Sequence, residues 1–339
     1  MNDQEQTIET GAGTTEARRH NNRGAMLHLE ADLQGARVEY EAALAVDPDN
    51  ATALNNLGFL QAQQGDLERA IDYYEAAIRA NPDHSTAYAN LGNARAGLGQ
   101  VAEGVNALLK AIDIDPGNLV AIDSLAKLYM VTGDLVRSEK AWRAALQATP
   151  GDPRLLTALG TVVAAQNRTA EAAELLHQAV ATDPGNAQAW AQLGSVLFVR
   201  DDLGSASDAL RRALALAPED RNARHQLSMV LLARGEREAA VRELERILTI
   251  DPDDQRARTD LAIHDLSRGK LDSARVRLDI VLASRPGDAR AAFYLAVVND
   301  LGGAKEKARA ALKILAAGDG PFATRARRYL ADKEGGADG

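Results

Sequence analysis

Eight prolines recur in this chain at a constant separation of 34 residues. They are Pro48, Pro82, Pro116, Pro150, Pro184, Pro218, Pro252 and Pro286. A fixed period of this length is typical of a structural repeat, in which each unit packs mainly against its neighbours. The chain is therefore expected to form one array of repeats, and its 339 residues leave little room for a further domain.

Placing Pro48 at position 32 of a 34-residue unit divides residues 17–320 into nine units. Position 7 is leucine in every unit after the first, position 8 is glycine, alanine or serine, and position 20 is always small. Glycine within a helix lowers stability by about 1 kcal/mol relative to alanine. Its recurrence at position 8 predicts a close crossing of two helices, and the bulky residues at position 24 are expected in the core.

Turn and cap residues divide each unit into two helices. Position 15 is glycine in six units and asparagine in one, and both residue types tolerate the left-handed conformation that ends a helix. Position 34 is asparagine or aspartate in most units, and these residues cap the start of a helix. A first helix, helix A, is thus predicted to end near position 15, and a second, helix B, to follow it.

Trp190, Leu193 and Gly194 show the order of residues with which the units open, and Tyr88, Leu91 and Gly92 repeat it. Together with the 34-residue period, this pattern resembles the tetratricopeptide repeat. The resemblance implies an all-α solenoid of helix-turn-helix repeats that coils into a right-handed superhelix. It also implies a concave groove lined by helices A, in which a protein or peptide ligand binds.

The domain organisation follows from the same register. Residues 1–16 are expected to be a disordered polar tail, residues 17–320 nine tandem repeats, residues 321–331 a C-terminal capping helix, and residues 332–339 a second disordered tail. The ninth repeat is degenerate, because Gly320 stands where proline belongs. The capping helix would cover the face that the last repeat otherwise exposes.

The composition argues against several kinds of chemistry. There is no cysteine, and the six histidines lack the spacing of metal ligands, so neither a metal nor another cofactor is expected. Nucleotide-binding and nucleophile motifs are also missing, and the chain is predicted not to be an enzyme. Nucleic acid is not expected as a partner, because the net charge is -9 and residues 1–150 hold 21 acids against 12 bases.

No apolar run is long enough for insertion into a membrane, and the N-terminus lacks the features of a signal peptide. A cytoplasmic protein is therefore expected. The excess of 31 arginines over 8 lysines, together with abundant alanine, indicates a GC-rich bacterial source.

Two groups of residues on helices A are candidates for the groove surface. The first is rich in carboxamides and comprises Asn21, Asn22, Asn55, Asn56, Phe59, Asn90 and Asn93. A row of carboxamides can donate to and accept from the backbone of an extended peptide. Asparagine is also common at these positions in tetratricopeptide repeats, so a structural role is the alternative. Lys127 is expected to pair with Asp123 one turn earlier, which disfavours a chaperone-type carboxylate clamp.

The second group is apolar and lies in repeats 6 to 9. It comprises Phe198, Met229, Leu232, Ile263, Leu266, Phe293 and Val297. Neighbours three or four residues apart share a helical face, and the repeats are in register, so these side chains predict an apolar stripe. An exposed stripe would bind an amphipathic partner helix. Burial within a tighter superhelix, or a homodimer seam, would explain the same pattern.

These features favour a non-catalytic scaffold or adaptor that binds a protein partner in its groove. The alternative is a regulatory or targeting subunit of an enzyme complex, such as a glycosyltransferase or envelope-biogenesis assembly, because identical repeats would serve both. Self-association, in which repeats stack between molecules, is a third reading of the same sequence.

Overall fold

A computed structural model describes residues 2–335 of the chain, and it describes side chains for residues 15–333. Within these residues every regular element is an α-helix. The helices fall into two compact bodies, which divide between Thr182 and Asp183 in the sequence. Each body is a stack of paired helices.

The N-terminal body contains α1 (Asn2–Leu29), α2 (Leu33–Val46), α3 (Ala51–Gln63), α4 (Leu67–Ala80), α5 (Ser85–Gly97), α6 (Val101–Ile114), α7 (Leu119–Val131), α8 (Leu135–Ala148), α9 (Pro153–Ala165) and α10 (Thr169–Thr182). The C-terminal body contains α11 (Ala187–Val199), α12 (Leu203–Leu216), α13 (Arg221–Ala233), α14 (Arg237–Ile250), α15 (Gln255–Ser267), α16 (Leu271–Ser284), α17 (Ala289–Leu301), α18 (Lys305–Ala316) and α19 (Pro321–Gly335). The odd-numbered helices up to α17 are helices A of repeats 1 to 9, and the even-numbered helices are helices B.

Helix A of repeats 2 to 9 starts at the first residue of the 34-residue unit, as at Ala51 in α3. Repeat 1 differs, because α1 starts at Asn2 rather than at Ala17. The segment expected to be a disordered tail is therefore helical from residue 2 onward. At the other end α19 continues past residue 331 to Gly335, and residues 336–339 of the second expected tail lie outside the described part of the chain.

Short polar side chains start most of the helices A. Asn50 Oδ1, for example, accepts a hydrogen bond from the Ala53 N–H at 3.0 Å. Such a bond satisfies one of the amide groups that lack a partner within the helix. Most turns between helices A and B use a glycine with positive φ, such as Gly65 at 84°, whereas Ala31 and Asp201 take φ values of 63° without glycine.

The core of each repeat lies where helix B crosses helix A. The residue at position 24 is bulky and at most 2% exposed in all nine repeats, namely Tyr40, Tyr74, Leu108, Trp142, Leu176, Leu210, Leu244, Leu278 and Leu312. A Cβ atom on Gly58 would stand 2.7 Å from Tyr74 Cε1, closer than carbon atoms can approach. The predicted close crossing at position 8 is thus confirmed in repeat 2.

The first and last repeats are finished by different means. In repeat 1 position 7 is Arg23 instead of leucine, and its side chain is 73% exposed and pairs with Glu39 at 3.2 Å. Repeat 9 is covered by α19, in which Phe322 and Tyr329 lie with ring centroids 6.0 and 6.2 Å from that of Phe293. Both devices reduce the apolar surface left at the end of the array.

Candidate functional site

Neighbouring helices A pack with a constant offset in sequence. We call the side of each helix A that carries positions 6, 9 and 12 its outer face. The rings of His28 and Phe59, 31 residues apart in sequence, have centroids 5.5 Å apart. Ser195 Oγ donates a hydrogen bond to Gln226 Oε1 at 2.7 Å, again with a separation of 31 residues. A residue at position 9 or 12 of one helix A therefore lies beside the residue three positions earlier on the next helix A.

Four asparagines on the helices A of repeats 1 to 3 form a continuous chain of hydrogen bonds. Asn90 Nδ2 donates to Asn55 Oδ1 at 2.9 Å. Asn55 Nδ2 lies 3.5 Å from Asn56 Oδ1, and Asn56 Nδ2 donates to Asn21 Oδ1 at 3.0 Å. We call these four residues the asparagine chain. It links α1, α3 and α5 through side chains alone.

The asparagine chain has a buried edge and an accessible edge. Asn21 and Asn55 are 8% and 6% exposed, whereas Asn56 and Asn90 are half-buried. A carboxamide has two N–H donors and an oxygen with two lone pairs, so one donated and one accepted bond leave capacity at each group. The accessible edge can therefore bond to a ligand without breaking the chain.

The structure selects among the predicted asparagines. Asn22 and Asn93 are exposed and, among the described side chains, neither joins the asparagine chain. The asparagine chain alternates between positions 5 and 6, because the offset between neighbouring helices brings Asn56 to Asn21. Phe59 lies on the same side as expected, with 42% of its surface exposed.

Lys127 behaves as the sequence predicts. Its Nζ lies 2.6 Å from Asp123 Oδ2 on the preceding turn of α7, which confirms the expected pair. The positive charge is already matched within the helix, so it adds little attraction for a ligand carboxylate.

The apolar group divides into an accessible part and a buried part. Met229 and Leu232 on α13 are 40% and 45% exposed, while Phe198, Ile263 and Leu266 are half-buried. We call these five residues the apolar surface. The predicted stripe is shorter than expected, because it ends at α15.

Phe293 and Val297 do not extend the apolar surface, contrary to the sequence expectation. Phe293 is 8% exposed and forms a core cluster with Leu312 and Ala326, and Val297 packs against the same cluster. The cause is α19, which lies over repeat 9 and turns these positions into an interior. Periodicity alone does not show such a covering helix.

A buried pair of hydrogen-bonded side chains lies close to the apolar surface. His225, one turn before Met229, is 3% exposed, and its Nε2 lies 3.2 Å from Asp254 Oδ1. Burial raises the pKa of Asp254, but hydrogen bonds from the Ala257 N–H and from His225 outweigh it, so the pKa lies below its usual range. The pair joins repeat 7 to the cap of α15.

Two family models match the chain. That of the tetratricopeptide-containing C-terminal domain of cilia and flagella-associated protein 70 matches residues 2–249, well over half of the chain. A further tetratricopeptide repeat model matches residues 231–296.

The chain belongs to this tetratricopeptide repeat family. The expectation of an all-α solenoid of tetratricopeptide repeats is thereby confirmed for both bodies. No curated protein matches the chain at a significant level.

Solved structures show the same fold at low sequence identity. The APC/C hetero-tetramer Cut9-Hcn1 matches with a TM-score of 0.59 and 17% identity, over 81% of this chain and 54% of that chain. A tetratricopeptide repeat protein from Parabacteroides merdae matches with 0.58 and 15%, over 73% and 98%. Pseudomonas aeruginosa pilF matches with 0.53 and 20%, over 61% and 94%. These similarities concern the fold of the chain and not its function.

Sequence reasoning missed one exposed residue beside the apolar surface. Arg256, at position 2 of repeat 8, is exposed, and its Nη2 lies 3.2 Å from the sulfur of Met229. Arg256 is one of 31 arginines in the chain, and no sequence pattern distinguishes it from the others. No group of three or more potential metal ligands occurs among the described residues. Within residues 2–335, the helices lack the combined length and apolar character that crossing a membrane requires.

Proposed function

We propose that this tetratricopeptide chain is a non-catalytic scaffold that binds a protein partner on the outer face of its helices A. In the N-terminal body the ligand is an extended segment of the partner. The backbone of this segment runs along the accessible edge of the asparagine chain. The asparagine chain itself is the observation that carries the proposal.

The hydrogen bonds within the chain prepare these side chains for a ligand. Asn55 holds Asn90 and is itself directed toward Asn56, so the carboxamides are oriented before anything binds. A ligand that meets oriented donors and acceptors loses less side-chain entropy on binding. An extended peptide offers alternating N–H and C=O groups, which suit carboxamides because these both donate and accept.

Two buried ionisable side chains of α13, Arg224 and His225, each contact a structural partner, which supports a binding role rather than a catalytic one. Arg224 is 7% exposed, lies 2.5 Å from Glu243 Oε2 and donates to the carbonyl of Pro218 at 2.6 Å. His225 is held by Asp254. Both sets of contacts stabilise the junctions between helices.

The test compares two asparagine variants during capture of partners from the source cells. Asn56→Ala combined with Asn90→Ala removes the accessible edge, and Asn106→Ala, an exposed asparagine on α6, is the matched control. Two lost hydrogen bonds of about 1 kcal/mol each should weaken the specific partner roughly tenfold or more. Because Asn21 and Asn55 are 8% and 6% exposed, loss of their donors should also lower the free energy of unfolding by about 1–3 kcal/mol each. Recovery is therefore compared at a temperature at which circular dichroism shows that both variants are folded. Equal recovery by the double variant and by the control would overturn the proposal.

A further inference from the structure

We propose that the apolar surface of the C-terminal body binds one amphipathic helix that carries carboxylates on the side facing Arg256. The inference rests on the proposed scaffold function and names the chemistry of a second ligand. It concerns Phe198, Met229, Leu232, Ile263 and Leu266 on α11, α13 and α15.

The register of the helices A places the five side chains beside one another although they come from three repeats. Phe198 and Met229 are separated by 31 residues, as are Leu232 and Ile263. The same separation brings Ser195 to Gln226 within 2.7 Å on α11 and α13. Met229 and Leu232 also share one face of α13, being three residues apart. The apolar surface is therefore continuous from α11 to α15.

The surface has no continuous counterpart in repeats 3 to 5. Its central residues, Met229 and Leu232, expose 40% and 45% of their surfaces. The equivalent positions of repeat 4 are Lys127 and Met130, and those of repeat 5 are Thr161 and Ala164. Because repeat 5 folds with a polar and a small residue at these positions, large apolar side chains are not needed there for the repeat itself. An exposed apolar group of this kind marks an interaction site.

The polar groups around the surface favour a helical ligand. An extended strand needs partners for its backbone N–H and C=O groups, whereas a helix satisfies its own. Thr259, at the position of Asn55, is 2% exposed and donates to the Gln255 carbonyl at 2.8 Å. Ser195 is already bonded to Gln226. Among the described side chains of this body, no hydrogen-bonded chain of carboxamides like that of repeats 1 to 3 is present to receive an extended strand.

The size of the surface sets the length of the ligand. Packed helices lie about 8–10 Å apart, so three neighbouring helices A span roughly 20 Å. A helix rises 1.5 Å per residue, so about 13 residues would cover this distance. Such a helix would present apolar anchors at spacings of three, four and seven residues.

The charge at the edge of the surface determines the polar side of the ligand. Arg256 is exposed, its guanidinium lies 3.2 Å from the Met229 sulfur, and among the described side chains no carboxylate pairs with it. Asp260, one turn after Arg256 on α15, already pairs with Arg290. The Arg256 guanidinium therefore lies beside the apolar surface without an ion-pair partner in the described part of the chain, and a carboxylate on the ligand complements it.

The experiment selects peptides of about 20 residues from a yeast-displayed random library against the full chain. Binding of each selected peptide is then measured to five variants. Met229→Asp with Leu232→Asp disrupts the surface, and Val131→Asp, an 81% exposed position on α7, is its control. Arg256→Glu reverses the charge, and Arg242→Glu on α14 is its control. Asn56→Ala with Asn90→Ala, from the test above, reports on the N-terminal body.

We expect a class of acidic peptides with helical apolar periodicity. The Met229/Leu232 variant should weaken this class about tenfold or more, and the controls should not. Selection against Arg256→Glu should yield basic peptides instead. Peptides that bind the C-terminal body but lack periodicity or acidic residues would overturn the inference. So would a selection in which every peptide depends on Asn56 and Asn90, although the proposed function would then stand. A selection in which no peptide depends on either surface would contradict both.

Discussion

Gly160 on α9 lies directly against Leu176 on α10, so closely that a Cβ atom on Gly160 would stand 2.8 Å from Leu176 Cγ. Both residues are buried, and Leu176 is fully inaccessible to solvent. In repeat 5 a side chain at position 8 is therefore limited by the approach of Leu176, not by the backbone conformation. The same relationship recurs between Gly194 and Leu210, at 2.6 Å.

Gly160→Leu should lower the stability of repeat 5 by about 1–3 kcal/mol, because the added atoms overpack this crossing. The loss should stay near repeats 4 to 6, since each repeat contacts mainly its neighbours. Hydrogen exchange along the chain measures this. Gly287→Ala is the control, because no atom lies within 4 Å of a Cβ there. A uniform loss of protection over residues 17–320 would contradict local coupling.

Asp254→Ala should be more destabilising than Asp220→Ala. Both aspartates cap a helix A, and losing a cap costs about 1 kcal/mol. Asp254 also accepts from His225, which is 3% exposed and would be left without its acceptor. The additional cost of an orphaned buried donor is about 1–3 kcal/mol. Chemical denaturation of the two variants measures the difference, and equal losses would show that the His225 contact contributes nothing.

The docking of α19 should weaken in acid. Hydrogen bonds from Lys333 and from the Tyr329 hydroxyl, the latter at 2.8 Å, lower the pKa of Asp300 despite its partial burial. A carboxylate with a lowered pKa in the folded state stabilises that state above the unfolded pKa of about 3.9, and this stability is lost as the pH falls below it. Hydrogen exchange of residues 321–335, corrected for intrinsic rates, should therefore accelerate in acid. Asp300→Asn should remove most of this pH dependence, and an unchanged dependence would assign it to other groups.

The fold could be predicted from the sequence because each repeat carries its own punctuation. Pro48 and its seven equivalents fix the register, and caps such as Asn50 and turn glycines such as Gly65 then fix the helix ends locally. Ala31 and Asp201 adopt the same left-handed turn without glycine, because the helices on either side already determine the path of the chain. These features depend on residues that are close in sequence.

The candidate site was less predictable because it depends on the offset between helices from different repeats. Asn21 and Asn22 are adjacent in sequence on α1, yet only Asn21 receives a hydrogen bond from Asn56. Phe293 matches the apolar pattern of the groove, but α19 covers it. A repeat register assigns a residue to a face, whereas its partners follow from the packing of neighbouring helices.

The N-terminal end of the array, formed by repeat 1, leads to a prediction about self-association. Arg23 stands where repeat 2 has Leu57, which is 1% exposed, and Arg19 stands where repeat 2 has Ala53, which is inaccessible. Both arginines are exposed, and Met26 beside them is 62% exposed. The two charges therefore occupy the face that an internal repeat would bury against its predecessor.

Arg19→Ala combined with Arg23→Leu should give repeat 1 the face of an internal repeat and promote association between molecules. A contiguous apolar end would be created around Met26, and two copies can bury it against each other as one self-complementary interface. Loss of the exposed ion pair between Arg23 and Glu39 should change the stability of the chain by less than about 1 kcal/mol. Light scattering should show a concentration-dependent increase in mass relative to the unchanged chain. Arg79→Leu, an exposed position on α4, is the control for added surface hydrophobicity. An unchanged mass for the double variant would mean that Arg19 and Arg23 do not prevent self-association through this end of the array.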